Sequence, residues 1–133
     1  MTYFLTNTSE PVTATYSRAA AIAVGVLHDV TADARGVGIL LPTAIAEHAW
    51  TAAVAWPHAA SALRCETSRT RTVLAHAAQA LERADRRGRG GLQLFNVIPA
   101  PALDGENPVT LCAEVGTGDT GELVLTITAA ADR

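Results

Sequence analysis

The spacing of apolar residues changes near Gly91, from a helical rhythm before it to a strand rhythm after it. Val73, Leu74, Ala77, Ala78, Leu81 and Ala84 recur three and four positions apart. That stripe predicts the longest helix of the chain, from Thr67-Ser68 to about Arg87, with one face on a core. Beyond Gly91, Leu92–Ile98, Val109–Val115 and Glu122–Thr128 alternate or run apolar in strand-length pieces, with Pro, Gly, Asp and Asn between them. Val109, Leu111, Ala113 and Val115 share one strand face, and Leu123, Leu125 and Ile127 share another. Three consecutive strands with short connections predict an antiparallel meander. Helices first and strands second give an α+β class: two to three helices packed on a C-terminal three- or four-stranded antiparallel sheet.

The pattern in the first half is shorter in period. Residues 1–15, rich in Thr and Ser with Pro11, read as an irregular or edge-strand lead-in to a single domain spanning 1–133. Ser17 is placed to cap a helix over Arg18–Val24, and Gly25 supplies a left-handed exit. A helix this short needs the core, through Ala19, Ala20, Ile22 and Ala23. Val26–Val30 is strand-like, and Thr31–Arg35 reads as a capped single turn ended by Gly36 or Gly38. Val37–Leu41 is a candidate second strand. Pro42 interrupts it, and Thr43 is expected to open a helix to about Ala55, with Trp50 at its middle and Trp56 at its end, stopped by Pro57.

Composition narrows the chemistry more than it identifies it. At 133 residues the chain is long enough to bury roughly two thirds of its unfolded surface without metal or disulfide. A formal charge of -3 indicates neither a basic nucleic-acid footprint nor a strongly acidic surface. The ten basic residues are all arginine, which excludes a Schiff-base, P-loop or kinase-type lysine. Met1–Asn7 lacks the basic start and long apolar core of a signal peptide, and no apolar run reaches membrane-span length. The expectation is therefore a cytoplasmic chain with no membrane association and free thiols at Cys65 and Cys112, one structural disulfide remaining the alternative.

Each motif carries a bland reading beside a chemical one. Gly116-Thr117-Gly118-Asp119-Thr120-Gly121 has the letters G-x-G-x-x-G, but it precedes a strand where a dinucleotide site needs a helix. A hairpin turn is expected. His28, His48, His58 and His76 have no metal-ligand spacing, so neither a metal nor another cofactor is expected. Cys65 and Cys112 are the candidate nucleophiles, Cys65 lying between Arg64 and Glu66 just before the long helix and Cys112 mid-strand as a small apolar group. A structural cysteine is the favoured reading of both. Arg64, Arg69 and Arg71 flank the start of the long helix. Arg83, Arg86, Arg87 and Arg89 cluster at its end, where the helix dipole favours cations. Without interleaved aromatic residues they lack a stacking platform for bases.

Two segments carry a family likeness. Tyr16-Ser17-Arg18 through Ile22, Gly25-Val26, Asp29-Val30-Thr31, Ala34-Arg35, Leu41-Pro42-Thr43-Ala44 and Ala49-Trp50 form the first, and Val109 to Ile127, including Gly118-Asp119 and Gly121-Glu122, the second. Together they resemble a family of small proteins of unassigned activity encoded by bacterial phages, plasmids and integrative elements. The likeness covers about Tyr16 to Thr128, with a looser middle over Pro57 to Leu81, where Thr72-Val73-Leu74-Ala75-His76 replaces a Trp-containing helix. It implies one compact domain in a mobile-element setting and supplies no catalytic residues.

The functional expectation follows from these readings. The chain is read as a non-enzymatic binding protein of a phage or mobile element, an anti-CRISPR-like inhibitor that contacts a host defence or regulatory complex. Its candidate contact residues are Arg83, Arg86, Arg87, Arg89, Trp50, Trp56, Asp119 and Glu122. The alternatives are a small enzyme with a Cys65 or His/carboxylate site, and a nucleic-acid accessory protein using the Arg83–Arg89 cluster. A homodimer through an unpaired sheet edge is a further expectation.

Overall fold

A computed structural model describes residues 6–7, 12–13, 17–88 and 91–132. Two short strands, β1 (Thr6–Asn7) and β2 (Val12–Thr13), pair with each other as a separate ladder. The remaining strands are β3 (Leu27–Asp29), β4 (Thr43–Ala46), β5 (Leu92–Val97), β6 (Val109–Thr117) and β7 (Leu123–Ala129). The α-helices are α1 (Arg18–Ala23), α2 (Thr31–Gly36), α3 (Glu47–Ala53) and α4 (Ala62–Arg86), with 3-10 turns at Ala59–Ser61 and Ala130–Asp132. The α+β class is as expected.

The sheet differs from the expectation in size and in sense. β5, β6 and β7 do form the predicted meander, Phe95 beside Leu111 and Ala113 beside Ile127. But β3 and β4 join it, giving five strands in the order β3–β4–β7–β6–β5. β4 runs parallel to β7, with Thr43 beside Leu125 and Ile45 beside Ile127, so the sheet is mixed and not wholly antiparallel. The Leu125 N–H bonding the Pro42 carbonyl at 2.9 Å extends that pairing.

Burial explains the corrected elements. Thr43-Ala44-Ile45-Ala46, expected as the start of a helix, is a strand because three of its residues are buried between β3 and β7. Small Ala44 and β-branched Ile45 fit a strand covered on both faces, and tertiary context overrides alanine's helical preference. The helix then starts at Glu47, whose N–H is satisfied by the Val26 carbonyl at 3.0 Å. Val37–Leu41 is not a strand: Gly38 takes a positive φ of 90°, and the chain bends there. The long helix begins at Ala62, before the expected Thr67.

α4 lays Cys65, Arg69, Val73, Leu74, Ala77, Ala80 and Ala84 inward as one buried stripe. Facing it on the sheet are Phe95, Val97, Leu111, Ala113, Leu125, Ile127 and Ile45, which with Ala49 and Val54 make the core. Each fully buried aliphatic side chain of this set contributes roughly 1.5–3 kcal/mol. The opposite sheet face carries Leu92, Leu94 and Asn96 from β5, Cys112 from β6, and Val124, Thr126 and Thr128 from β7, by strand alternation. No helix among the described residues is long and apolar enough to cross a membrane.

Candidate functional site

The glycine-rich loop resolves into a hairpin turn joining β6 to β7. Gly118 N–H bonds the Glu122 carbonyl at 2.7 Å, and Gly121 N–H bonds the Gly118 carbonyl at 3.2 Å. The Glu122 carboxylate closes the turn by accepting from the Thr120 N–H and hydroxyl at 3.0 and 2.9 Å. A Cβ on Gly118 would stand 2.6 Å from Glu122 Cδ, so a side chain there would displace the Glu122 carboxylate from its place in the turn. The Thr120 hydrogen bonds hold the Glu122 carboxyl below its ordinary pKa.

Asp119 at the tip of this turn reaches back to the N-terminus of α1. Its two carboxylate oxygens accept the Arg18 and Ala19 N–H groups at 2.8 and 3.0 Å, while Ser17 Oγ caps Ala20 at 3.0 Å. These backbone donors, Ala19 first, depress the Asp119 pKa. The segments around Ser17–Ala20 and Gly118–Glu122, distant in sequence, therefore meet in space. Between them, Arg18 extends over β7 and donates to Thr126 Oγ1 at 2.7 Å and the Leu125 carbonyl at 2.9 Å. Half-burial lowers its pKa against the opposing pull of Asp29, Asp119 and Glu122. A pocket of about 200 Å³ lies here, lined by Arg18, Asp29, Thr31, Thr43, Asp119 and Glu122.

The two tryptophans are half-buried and hold elements together. Trp50 stacks on His28, ring centroids 4.2 Å apart and 9° from parallel, and His28 in turn bonds Glu47 across β3 and α3. Trp56 donates its indole N–H to Ser61 Oγ at 3.1 Å, and its backbone N–H goes to Glu66 at 2.9 Å. Elsewhere, His48 pairs with Asp132 at 2.8 Å, and His76 Nδ1 bonds the Thr72 carbonyl at 2.8 Å. Cys65 and Cys112 are free and buried. Among the described residues no group of three His, Cys, Asp or Glu side chains is placed to hold a metal ion.

Arg69 is the residue that sequence reasoning misplaced. Assigned to an arginine group flanking the helix start, it is instead fully buried beneath Trp56, whose ring lies 5.5 Å from its guanidinium carbon. It donates to the Val54 carbonyl at 2.9 Å, to the Pro101 carbonyl at 2.8 Å and to both Glu106 oxygens at 2.8 Å. Glu106 also accepts the Leu103 N–H at 2.8 Å. The Arg69 hydrogen bond lowers the Glu106 pKa, outweighing burial. One signal was present: Arg69 lies on the same four-residue stripe as Cys65, Val73 and Ala77.

The exposed groups lie elsewhere. Arg83, Arg86 and Arg87 project at the end of α4, with Arg86 only 3.5 Å from Glu82, whereas Arg89 lies outside the described residues. An open groove of about 660 Å³ runs between α2 and α4, lined by Val37, Leu63, Arg64 and Arg71 among others. Leu92 and Leu94 on the far sheet face, and Ile98 just past the end of β5, remain 36%, 60% and 63% exposed.

The fold and its surfaces define a small α+β protein whose expected contact side chains, the α4 arginines apart, serve its own architecture. No family model matches the chain, and neither a curated protein nor a solved structure does.

Proposed function

We propose that this chain is a non-enzymatic binding protein acting by protein–protein contact, in the setting of a bacterial phage or mobile element, as an inhibitor of a host defence complex. The observation that supports it is the row Leu92, Leu94 and Ile98, large aliphatic side chains left in water at one margin of the sheet. Single exposed leucines are ordinary, but three large aliphatic side chains on and just after one strand are the kind of surface a protein partner covers. Side chains suited to chemistry are meanwhile committed to the fold: Asp119 to α1, Glu122 to its own turn, and Glu106 to Arg69. The mobile-element setting comes from the resemblance of the two segments that Asp119 joins.

The test is capture on the tagged chain from a host carrying defence systems, run beside folded Ile98→Glu, together with a phage-protection assay. The expected result is a partner that the wild type retains and Ile98→Glu loses, with protection lost in parallel. Full phage protection by Ile98→Glu, or no protection by the wild type, overturns the reading.

A second reading has its own observation. Arg83, Arg86 and Arg87 are exposed at one helix end, which favours phosphate contact. It requires DNA or RNA affinity that falls steeply with salt and is lost in a triple Arg→Ala variant.

A further inference from the structure

We infer that β5 is a self-association edge, along which two copies of this chain pair antiparallel into one continuous sheet. β5 is the last strand of the sheet order, and no described strand pairs with its outer side. Alternate residues of an edge strand turn their N–H and C=O groups outward, a template for another strand. Proteins blunt such edges with charges, proline, bulges or very short strands. β5 has none of these: it pairs with β6 without a bulge at all six positions, Leu92 to Val97. No charged residue and no proline occurs from Gly91 to Ile98.

The occupant follows from charge and symmetry. A strand without charge meets its own copy at a two-fold axis without like-charge repulsion. Antiparallel pairing also sets the start of one β5 beside the end of the other. Arg83, Arg86 and Arg87 precede the start together with Glu82 and Asp85, a weak excess of positive charge, and exposed Asp104 follows the end. With the axis through Phe95 and the strand direction carried one residue past Val97, Leu92 of one copy comes opposite Ile98 of the other, pairing two exposed aliphatic side chains. The same axis keeps the helices of both copies on one side and joins the two Leu92–Leu94–Ile98 rows into one apolar surface. This inference goes beyond the proposed partner contact and does not depend on it.

The purified chain, alone, tests it. Sedimentation is expected to show twice the monomer mass at high concentration, with Leu94→Lys, a guard charge on an exposed position, remaining monomeric. In the double variant Leu92→Cys/Ile98→Cys, mild oxidation is expected to give a covalent dimer. Within one copy Leu92 opens β5 and Ile98 follows its last residue, Val97, and both native thiols are buried. Leu63→Cys, exposed on α4 away from the sheet edge, is expected to give none. A wild type that stays monomeric at every concentration overturns the inference, as does a dimer that Leu94→Lys leaves intact or that Leu63→Cys cross-links as readily. A wild type that dimerises yet captures no partner would count against the proposed function alone.

Discussion

Arg69 on α4 and Glu106 in the loop between β5 and β6 face each other through two hydrogen bonds, Nη1 to Oε1 and Nη2 to Oε2, each 2.8 Å long. Nε and a second Nη1 hydrogen of the guanidinium reach the carbonyls of Val54 and Pro101. One buried side chain thus ties the end of α3 and the β5–β6 loop to the middle of α4. A buried charge is stable only when paired and hydrogen-bonded in this way.

Glu106→Ala leaves the Arg69 charge buried without its partner. Its expected cost is about 3 kcal/mol in urea unfolding. The double replacement Arg69→Met/Glu106→Leu removes both charges and is expected to recover a large part of that loss. A Glu106→Ala protein as stable as wild type would show that water replaces the carboxylate without penalty.

The same pair sets a pH dependence. Arg69 depresses the Glu106 pKa in the folded protein below its ordinary 4.5. The stabilisation is therefore complete above that value. It is lost as the pH falls from there through the lower folded value, because the unfolded chain binds the proton first. Urea midpoints measured across this acid range are expected to fall less steeply in Arg69→Met/Glu106→Leu than in the wild type.

Asp119 couples the β6–β7 turn to α1, so Asp119→Ala is expected to loosen the helix without unfolding the sheet. Amide exchange at Arg18 and Ala19, the two N–H groups it accepts, should accelerate severalfold, while Leu111 and Ile127 in the core stay protected. Equal acceleration at all four sites would mean the contact supports the whole fold.

Thr128 holds a buried hydroxyl with no hydrogen-bond partner among the described residues, directly across the sheet from Cys112. Thr128→Val keeps the shape and removes the unsatisfied group. It is expected to stabilise by about 1 kcal/mol, as a higher urea midpoint at unchanged slope. A lower midpoint would reveal a partner for the hydroxyl in solution.

Local periodicity carried much of the architecture. The Ser17 cap, the left-handed Gly25 exit at φ 84°, the inward stripe of α4 and the β5–β6–β7 meander were all legible, because each depends on residues a few positions apart. The hairpin reading of Gly116–Gly121 was legible for the same reason.

What tertiary structure alone decided involves partners distant in sequence. Thr43–Ala46 is a strand because β3 and β7 flank it, and its parallel match to Leu125–Ile127 leaves no local mark. Arg69 looks like any helical arginine until Val54, Pro101 and Glu106 are brought around it. Asp119 and Trp50, read as surface contacts, are engaged within the fold instead, exposed Asp119 by the N-terminus of α1 and half-buried Trp50 by His28. By itself the sequence determined where α1, most of α4 and the meander lie, through short-range spacing and backbone preference. Long-range burial determined which charges are structural and which edge remains open, since the cost of desolvating a group depends on neighbours that only the folded chain supplies.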